Sequence, residues 1–428
     1  MTFGFDGSRA FTPGRTGTEN YSYQLLKALA KIDRKNKYLV YVRPNSVILR
    51  SASDEGSSPT MEDSSPASPG QNDNSHWPGN FQFKVISWPR LWTQGGLALE
   101  TFKDNPDVLF VPAHTLPLIR KPGLKTVVTV HDLGSEYLPS MHQLKQQLYL
   151  GFMQKFQLKT ATKIIAVSKA TKEDLIKRVG IDPKKVNVVY EGYDKDLFKP
   201  VKGDTLVNSL RQYKLKPQEY FLFVGTVQPR KNLERLIKAF SVIARNEVTK
   251  QSSPENNPTK IASPASPVRN DELKLAIIGQ RGWLSDEIYQ LPKKLGIEDM
   301  VKFLGYVPDK DLPALYSGAI ALTFPSLFEG FGLPVLEAQA CGCPVLTSNI
   351  SSMPEVAGPA AAGGAVLVDP YSVDDIVKGM GRLQAISKAC DLTVLGNRQQ
   401  LVKKGLENVG RFSWEKCAAQ TLEVLESI

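Results

Sequence analysis

The sequence is poor in cysteine and histidine, with four of each among 428 residues. All four cysteines lie in the last quarter of the chain, and only Cys341 and Cys343 are close together. The histidines lie far upstream of them, so the spacing excludes a zinc site of the Cys/His type. We therefore expect no resident metal, and we expect the cysteines to be reduced side chains that pack in the interior.

Long apolar runs are also lacking. No stretch approaches the roughly 20 continuous apolar residues that a membrane-spanning helix requires. The opening stretch Met1–Phe11 contains no apolar core of signal-peptide length. These features predict a cytoplasmic protein.

Acidic residues are outnumbered, because 43 aspartates and glutamates stand against 53 lysines and arginines, which gives a net charge of +10. This balance favours anionic partners such as nucleic acid, an acidic membrane face or a phosphorylated substrate. One stretch without acids mixes lysines with aromatic side chains. It fits either an ordinary solvated helix face or a surface for a lipid-linked or phosphorylated acceptor at an anionic membrane. The stretch contains Lys145, Tyr149, Phe152, Lys155, Phe156, Lys159 and Lys163.

Apolar runs of strand length alternate with amphipathic helical stretches, which predicts a parallel α/β architecture. A chain of 428 residues exceeds the size at which one core keeps growing, so we expect two doubly wound domains. Nearly continuous apolar strands suit sheets that are covered on both faces. The predicted strands are Tyr38–Val42, Phe83–Ile86, Val108–Val111, Thr126–Val130, Lys163–Val167, Val186–Val189, Tyr220–Val224, Leu273–Ile278, Val301–Phe303, Ala319–Phe324, Pro344–Thr347 and Ala365–Val368.

We place the first domain at residues 1–193 and the second at 194–392. The last stretch, 393–428, contains Phe412-Ser413-Trp414-Glu415 and is predicted to be helical. We expect it to cross back onto the first domain. Such a crossing would tether the domains while a hinge closes on a ligand.

Two segments, about 51–80 and 246–271, are rich in Ser, Pro, Asn and Asp and nearly free of large apolar side chains. They cannot bury enough surface to offset the entropy of ordering them. The phrase Ser65–Asp73 recurs almost unchanged as Ser263–Asp271, which is typical of an inserted low-complexity element. We expect both segments to be disordered surface loops without a catalytic part.

The most informative stretch runs from Phe324 to Gly342 and contains Glu329 and Glu337. It follows an apolar strand, passes a glycine-rich turn and enters a helix with Pro334 in its first turn. Free amides and the positive end of a helix dipole would favour a phosphate there. The two carboxylates could accept hydrogen bonds from vicinal hydroxyls of a ribose and a hexose. Alternatively, Glu337 only complements the helix dipole.

A second candidate site follows the strand that ends at Val224. Arg230 and Lys231 lie just beyond it, at the carboxyl edge of a parallel sheet, where such folds bind ligands. Two adjacent cations at this edge could neutralise a leaving diphosphate. The alternative is a pair of exposed charges at the start of a helix.

With these motifs the chain resembles the retaining glycosyltransferases of group 1, or family four, which have the GT-B fold of two Rossmann-like domains facing across a cleft. The resemblance covers most of the chain outside the two inserts. It is strongest in VGTVQPRKNLERLIKAF, LAIIGQRGWLSDEI, VKFLGYVPDKDLPALYSGAIALTFPSLFEGFGLPVLEAQACGCPVLTSN and SSMPEVAG.

The resemblance implies roles for these residues. Arg230 and Lys231 would hold the donor diphosphate, Glu337 the nucleotide ribose and Glu329 the transferred sugar. Val307, in Gly305-Tyr306-Val307-Pro308, would supply main-chain contacts to the base. The implied donor site comprises Gly17, Gly225, Arg230, Lys231, Val307, Glu329, Gly330, Phe331, Gly332, Leu333 and Glu337, of which Phe331 and Gly332 would offer amides.

The N-terminal half carries weaker marks of the family. His131, in Val130-His131-Asp132-Leu133, matches a strand-end motif whose histidine faces the donor sugar, so it joins Arg230, Lys231 and Glu329 as a catalytic candidate. Without the resemblance, a lone histidine such as His131 would be interpreted as a structural residue. His114 and Asp132 are acceptor-side candidates, and His114 fits a structural role equally well. Gly17 matches the family's glycine-rich turn, although Arg15-Thr16 departs from the usual Gly-Gly pattern.

The motif Asp194-Lys195-Asp196 matches the Asp-x-Asp metal motif of the other main glycosyltransferase fold. It lies at the expected domain junction, where the resemblance implies a hinge, so we expect no metal there. The negative charge of the departing diphosphate would instead be stabilised by Arg230, Lys231 and helix amides.

The resemblance implies retaining transfer of a hexose, with mannose favoured, to a saccharide or lipid-linked acceptor in cell-envelope polysaccharide or glycoconjugate synthesis. The favoured donor is GDP-mannose, a substrate, and no cofactor or nucleic acid is expected. Peripheral contact with an anionic membrane, at the inner face of the plasma membrane, is a further expectation. The alternatives are a nucleotide-sugar 2-epimerase on the same fold and a non-catalytic carbohydrate- or nucleic-acid-binding protein.

Overall fold

The computed structural model divides the chain into two compact units, one of residues 1–193 with 412–428 and the other of residues 194–411. Both are built around parallel sheets. The structure describes residues 1–12, 17–44, 77–88, 90–113, 115–133, 155–251, 273–358, 364–388 and 392–428.

The first unit has a seven-stranded sheet of order β3-β2-β1-β4-β5-β6-β7, and its strand pairs are parallel. Its strands are β1 Thr2–Asp6, β2 Lys37–Val42, β3 Phe81–Val85, β4 Val108–Val111, β5 Lys125–Val130, β6 Lys163–Ala166 and β7 Val186–Val188. The helices of residues 1–193 include α1 Gly17–Ile32, α2 Ala98–Lys103 and α3 Lys169–Asp174.

The second unit has a six-stranded parallel sheet of order β10-β9-β8-β11-β12-β13. Its strands are β8 Tyr220–Val224, β9 Lys274–Ile278, β10 Val301–Gly305, β11 Ala321–Phe324, β12 Val345–Ser348 and β13 Val366–Val368. The helices are α4 Gly203–Arg211, α5 Leu233–Gln251, α6 Asp286–Lys294, α7 Leu312–Gly318, α8 Leu333–Ala340, α9 Met353–Ala357, α10 Val373–Lys388 and α11 Leu392–Val409, and the closing helix of the chain is α12 Trp414–Glu426.

All twelve predicted strands are present, and their ends agree with the prediction to within two residues. Every residue of β4 and of β11 is buried, as expected for parallel strands covered on both faces. The prediction missed β1, which lies in the middle of the first sheet. Gly4 and Asp6 interrupt the apolar pattern of this strand, and Gly4 is small because the ring of Tyr41 lies against it. The doubly wound α/β fold class is confirmed.

The chain returns to the first unit at Phe412, whereas the sequence analysis placed the start of the returning segment at residue 393. The helix α11 instead packs on α8 of the second unit. Asn408 near its end donates hydrogen bonds to the Gln339 side chain and to the Val356 carbonyl, both at 2.8 Å. The returning helix α12 packs on α1, and Trp414 is buried in the first core.

Each predicted insert includes residues at one end that the structure shows to be part of the folded units. Trp77 packs edge-on against Phe83 at 5.2 Å between ring centroids, so it belongs to the first core. The helix α5 continues through residues 246–251, which were expected to belong to the second insert. Residues 51–76 and 252–271 lie outside the described residues.

Three of the four cysteines, Cys341, Cys343 and Cys417, are buried side chains. Cys390 lies outside the described residues. Within the described ranges, no helix combines the length and the apolar character that crossing a bilayer demands.

The backbone of Gly192 lies directly against the returning segment. A Cβ there would overlap the backbone nitrogen of Trp414 and lie 2.6 Å from the carbonyl carbon of Ser413. Backbone atoms cannot move aside as a flexible side chain does, so Gly192→Ala should lower the free energy of unfolding of the first unit by at least about 1–3 kcal/mol. Urea denaturation followed by tryptophan fluorescence measures this change.

Gly79→Ala is the matched control, because a Cβ at Gly79 meets nothing within 4 Å. Its stability should stay within a few tenths of a kcal/mol, on the order of ordinary surface substitutions. Equal stability of the two variants would show that the returning segment is not tightly docked on Gly192.

Candidate active site

The candidate site of the second unit lies at the carboxyl edge of its sheet, where β8 and β11 run side by side. The strand order reverses direction between these two strands, and ligands of open α/β sheets bind at such a point. The loop after β8 and the loop after β11 therefore lie next to each other. The Leu327 amide donates to the Arg230 carbonyl at 2.9 Å, and the Asn232 side chain donates to the Pro325 carbonyl at 2.9 Å.

The loop after β8 has a backbone that only small residues allow. Gly225 has a φ of 150°, and a Cβ on Gly279, after β9, would overlap the Gly225 carbonyl. One turn of 3₁₀ helix at Pro229–Lys231 follows, and Asn232 ends it in the left-handed region with a φ of 61°. This turn brings the adjacent side chains Arg230 and Lys231 to the same carboxylate.

That carboxylate is Glu329. Lys231 Nζ lies 2.5 Å from Glu329 Oε1, and Arg230 Nη1 lies 3.0 Å from Glu329 Oε2. Arg230 also donates to the Phe328 carbonyl at 3.1 Å, and the Lys231 ammonium lies 4.8 Å from the centre of the Phe324 ring. The side chains of Lys231 and Glu329 are only 10% and 8% exposed. The three residues form one buried charged cluster.

The charge state of Glu329 follows from these contacts. Burial alone would raise its pKa, but the charges of Lys231 and Arg230 and the hydrogen bond from Lys231 outweigh burial and lower the pKa to about 2. Glu329 is therefore ionised at neutral pH, and one negative charge faces two positive charges. The cluster retains a net positive charge, which suits an anionic ligand.

The loop after β11 is held by two serines that follow β12. Ser351 Oγ donates to the Glu329 carbonyl at 2.7 Å, and Ser352 Oγ donates to the Glu329 and Phe331 carbonyls at 2.9 Å. Gly332 then turns the chain with a φ of 112°, and α8 begins at Leu333 with Pro334 in its first turn. Residues 330–333 thus form a tightly bonded turn whose amides precede a helix.

Glu337 lies one turn into α8 and has a different environment. Its Oε2 accepts a hydrogen bond from the hydroxyl of Tyr316 on α7 at 2.8 Å. Burial raises the pKa of Glu337, the hydrogen bond from Tyr316 opposes burial, and the charges of Asp309 and Asp194 add to the increase, so that the pKa is about 7. At neutral pH the carboxyl group of Glu337 is therefore partly protonated.

His131 follows β5 in the first unit. Its Nδ1 lies 3.1 Å from Glu191 Oε1, its Nε2 lies 3.0 Å from the Pro112 carbonyl, and the Tyr21 ring packs edge-on at 4.6 Å. Burial works to lower the pKa of His131, but the hydrogen bond and charge of Glu191 and the Pro112 carbonyl raise it above its ordinary value. Asp132, the next residue, is partly exposed.

The remaining candidates are less informative. Gly17 is the exposed first residue of α1, and Val307 is buried just after β10. His114 lies outside the described residues. Asp194 Oδ1 accepts the amides of Asp196 and Leu197, both at 3.0 Å, so its carboxylate caps a local turn. Nowhere in the described part of the chain do three His, Cys, Asp or Glu side chains gather in a metal-binding group.

Sequence reasoning missed the partners of the candidate residues. Tyr316 and Glu191 were not among the predicted site residues, although Tyr316 contacts the Glu337 carboxylate and Glu191 contacts the His131 imidazole. Ser351 and Ser352 fall in the quoted segment SSMPEVAG, but their hydroxyls became visible as loop-fixing groups only in the structure.

Comparisons with known proteins place the chain in a family. Residues 208–393 match the family described as glycosyl transferases group 1, and residues 15–197 match glycosyltransferase family 4. Over 70% of its length the chain is 31% identical to the O-antigen chain mannosyltransferase B of Escherichia coli, and the match covers 69% of that relative. The chain belongs to this glycosyltransferase family.

Further comparisons agree. The glycosyltransferase is 29% identical to the O-antigen chain mannosyltransferase RfbU of Salmonella typhimurium, over 62% of each chain. The chain aligns with the solved structure of Anabaena HepE in complex with UDP and glucose over 100% of both chains, with a TM-score of 0.67 and 17% identity. This similarity shows a shared fold. The GT-B fold and the glycosyltransferase activity predicted from the sequence are therefore confirmed.

The lowered pKa of Glu329 gives this glycosyltransferase a testable acid response. Because the pKa falls from 4.5 to about 2 on folding, the stabilisation is present above pH 4.5 and is lost as the pH falls toward 2. Glu329→Gln should therefore lower stability at pH 7 and make it depend less on pH below 4.5. Urea unfolding midpoints at pH 7, 5, 4 and 3 measure both effects.

Glu234→Gln serves as the control, because Glu234 forms an exposed ion pair with Lys238 on α5. Exposed pairs of this kind contribute about 0.3–0.5 kcal/mol, so its pH curve should follow that of the wild type. A Glu329→Gln curve parallel to the wild type would contradict the buried ion pair.

Proposed function

We propose that this glycosyltransferase moves a hexose, with mannose favoured, from a nucleoside diphosphate sugar to a saccharide or lipid-linked acceptor, with retention of the anomeric configuration. The product would belong to a cell-envelope polysaccharide or glycoconjugate. Two relatives named as O-antigen chain mannosyltransferases support the sugar and the pathway class. The observation that carries the chemistry is the buried cluster of Arg230, Lys231 and Glu329.

Lys231 and Arg230 have the charge and the placement to bind a diphosphate. Both side chains come from one turn at the carboxyl edge of the sheet, and both are held by Glu329, so they are oriented before a ligand arrives. As the bond between the sugar and the diphosphate breaks, negative charge grows on the bridging oxygen. A preorganised ammonium there stabilises the transition state more than the bound donor.

Glu337 is proposed to bind the nucleotide ribose. A carboxylate accepts hydrogen bonds from two vicinal hydroxyls only when it is ionised. Since the pKa of Glu337 is about 7, ribose binding would draw the group to its ionised form. Nucleotide affinity should then be weaker below pH 7 than above it.

The donor base and the metal requirement are part of the same proposal. GDP-mannose is favoured, and Val307 would supply main-chain contacts to the base. Stabilisation against heat by GDP, UDP and ADP, compared at one concentration, identifies the base, because a ligand that binds only the folded state raises its stability. No cofactor or divalent ion is included, because Arg230 and Lys231 supply the positive charge.

The first unit also supports peripheral contact with an anionic membrane. Leu91 and Ile119 are 77% and 74% exposed. The Gln94 side chain joins their two segments, because it donates to the Leu116 carbonyl and accepts from the Leu118 amide. Exposed apolar clusters rimmed by cations are typical of membrane-binding surfaces. Other exposed apolar side chains in or near these segments are Trp88, Leu99 and Phe102, and the sequence places Arg90, Lys103 and Lys121 next to them along the chain. Of the earlier candidate stretch, Lys145, Tyr149 and Phe152 lie outside the described residues.

Two variants measured with one donor separate the proposed roles of Lys231 and Glu337. Lys231→Ala should raise the barrier by roughly 3–4 kcal/mol, which is about a hundredfold to a thousandfold in kcat. Glu337→Ala removes contacts that exist before and after bond breaking, so it should raise the KM for the donor with kcat closer to normal. Steady-state kinetics of transfer, or of slow donor hydrolysis, measure both constants.

Lys238→Ala is the matched control, because Lys238 is an exposed lysine on α5 paired with Glu234. The assays contain EDTA. A Lys231→Ala variant that only weakens donor binding, with Glu337→Ala lowering only kcat, would reverse the two roles. Loss of all turnover in EDTA, with recovery on adding manganese, would contradict the metal-free proposal. Formation of an epimer of the nucleotide sugar without any acceptor would favour the 2-epimerase.

The double variant Leu91→Gln, Ile119→Gln should bind vesicles of anionic phospholipid at least tenfold more weakly, because burying each side chain in the interface contributes on the order of 1–2 kcal/mol. Co-sedimentation with vesicles of phosphatidylglycerol and with neutral phosphatidylcholine measures the effect. Leu284→Gln, at a leucine of the second unit that is 65% exposed, is the control. Equal binding of all three proteins would contradict this surface.

A further inference from the structure

Both ring nitrogens of His131 face oxygen atoms that act as acceptors. Nε2 lies 3.0 Å from the Pro112 carbonyl, which has no proton to donate. Nδ1 lies 3.1 Å from Oε1 of the Glu191 carboxylate. A neutral imidazole has one N–H, so it would direct a lone pair at one of these oxygens. The doubly protonated imidazolium satisfies both contacts.

The surroundings of the pair favour the separated charges. The Glu191 side chain is only 6% exposed, so little water reaches its contact with the ring of His131. The Tyr21 ring packs edge-on against His131, with its hydroxyl near Thr129 Oγ1, and it carries no charge at neutral pH. Asp132, next in the chain, also favours a positive ring, while burial raises the pKa of Cys417 so that it stays a neutral thiol.

Glu191 is held rigidly in place by the backbone around it. The Val189 amide donates to the Ala166 carbonyl at 3.0 Å, which ties the approach to the end of β6. On the other side, Gly192 lies so close to the backbone of residues 413 and 414 that no side chain fits. The backbone from which the Glu191 side chain reaches His131 is therefore packed in place on both sides.

We propose that Glu191 is a positioning residue that holds His131 as a permanent imidazolium. His131 then supplies a fixed positive charge at the carboxyl edge of the first sheet, and it neither takes up a proton nor accepts a hydrogen bond from a sugar hydroxyl. The consequence for turnover rests on the proposed function, whereas the protonation state of His131 does not.

The protonation state is measured directly on the full chain with ¹⁵N-labelled histidine. The chain has four histidines, so His131→Gln assigns the ring signals of His131 by subtraction. At pH 7.5, two-bond ¹H–¹⁵N spectra should show two protonated ring nitrogens for His131. A ring with an unprotonated Nδ1 would mean that the proton lies on Glu191 and would overturn the proposal.

Glu191→Gln tests the positioning role, because the amide keeps the size and removes the charge. The pKa of His131 should then fall by about one unit or more, and one nitrogen should lose its proton at pH 7.5. Glu173→Gln, which removes an exposed partner of Lys177, is the control and should leave His131 unchanged. Glu191→Asp keeps the charge, so the pKa of His131 should again be raised in that variant. Glu191→Asp is also the variant to study if Glu191→Gln does not fold. Unchanged His131 signals in Glu191→Gln would contradict the role of Glu191.

Turnover gives a second readout. In Glu191→Gln, kcat should fall as the pH rises through the new pKa of His131 and recover at lower pH, because the charge on the ring returns. The wild type should show no such loss over the same range. A wild-type rate that requires a deprotonated His131 would overturn the proposal, while absence of turnover with every donor would contradict only the proposed function and leave the spectra to decide.

Discussion

One buried carboxylate, Glu329, organises the site of the second unit. Taking a carboxylate and two cations out of water costs several kcal/mol for each ion, and the attraction between them rarely exceeds that cost by much. Such a cluster is a poor way to stabilise a fold, but it orients Lys231 and Arg230 without help from a ligand. The proposed diphosphate would meet cations that are already in place, and it would compete with Glu329 for them.

The parallel sheets explain why residues so far apart in sequence act together. The turn with Arg230 and Lys231 follows β8, and the loop with Glu329 follows the neighbouring strand β11. In the first unit, Pro112 follows β4 and His131 follows its neighbour β5 by the same geometry. Each unit therefore gathers its polar groups at the carboxyl edge of its sheet, where strand order and not sequence distance decides which loops meet.

Much of this could be predicted, and the failures have physical causes. Apolar runs in the sequence correctly predicted twelve strands. The prediction missed β1 because Gly4 and Asp6 interrupt its apolar pattern. The motifs made Arg230, Lys231 and Glu329 candidates, and the resemblance to a known family then implied their roles. Tyr316 was not assigned, because a tyrosine on a short buried helix looks like core until its hydroxyl partner is known. Partner choice depends on tertiary contacts that no local pattern records.

The return of residues 412–428 to the first core also orders events during synthesis. The ribosome completes residues 1–193 first, yet their core lacks α12, which packs on α1. At about 5–20 residues per second, the missing helix follows roughly 10–50 s later, after the whole second unit has been made. The second unit can thus fold first, while the face of α1 that α12 covers stays exposed until the last residues have been made.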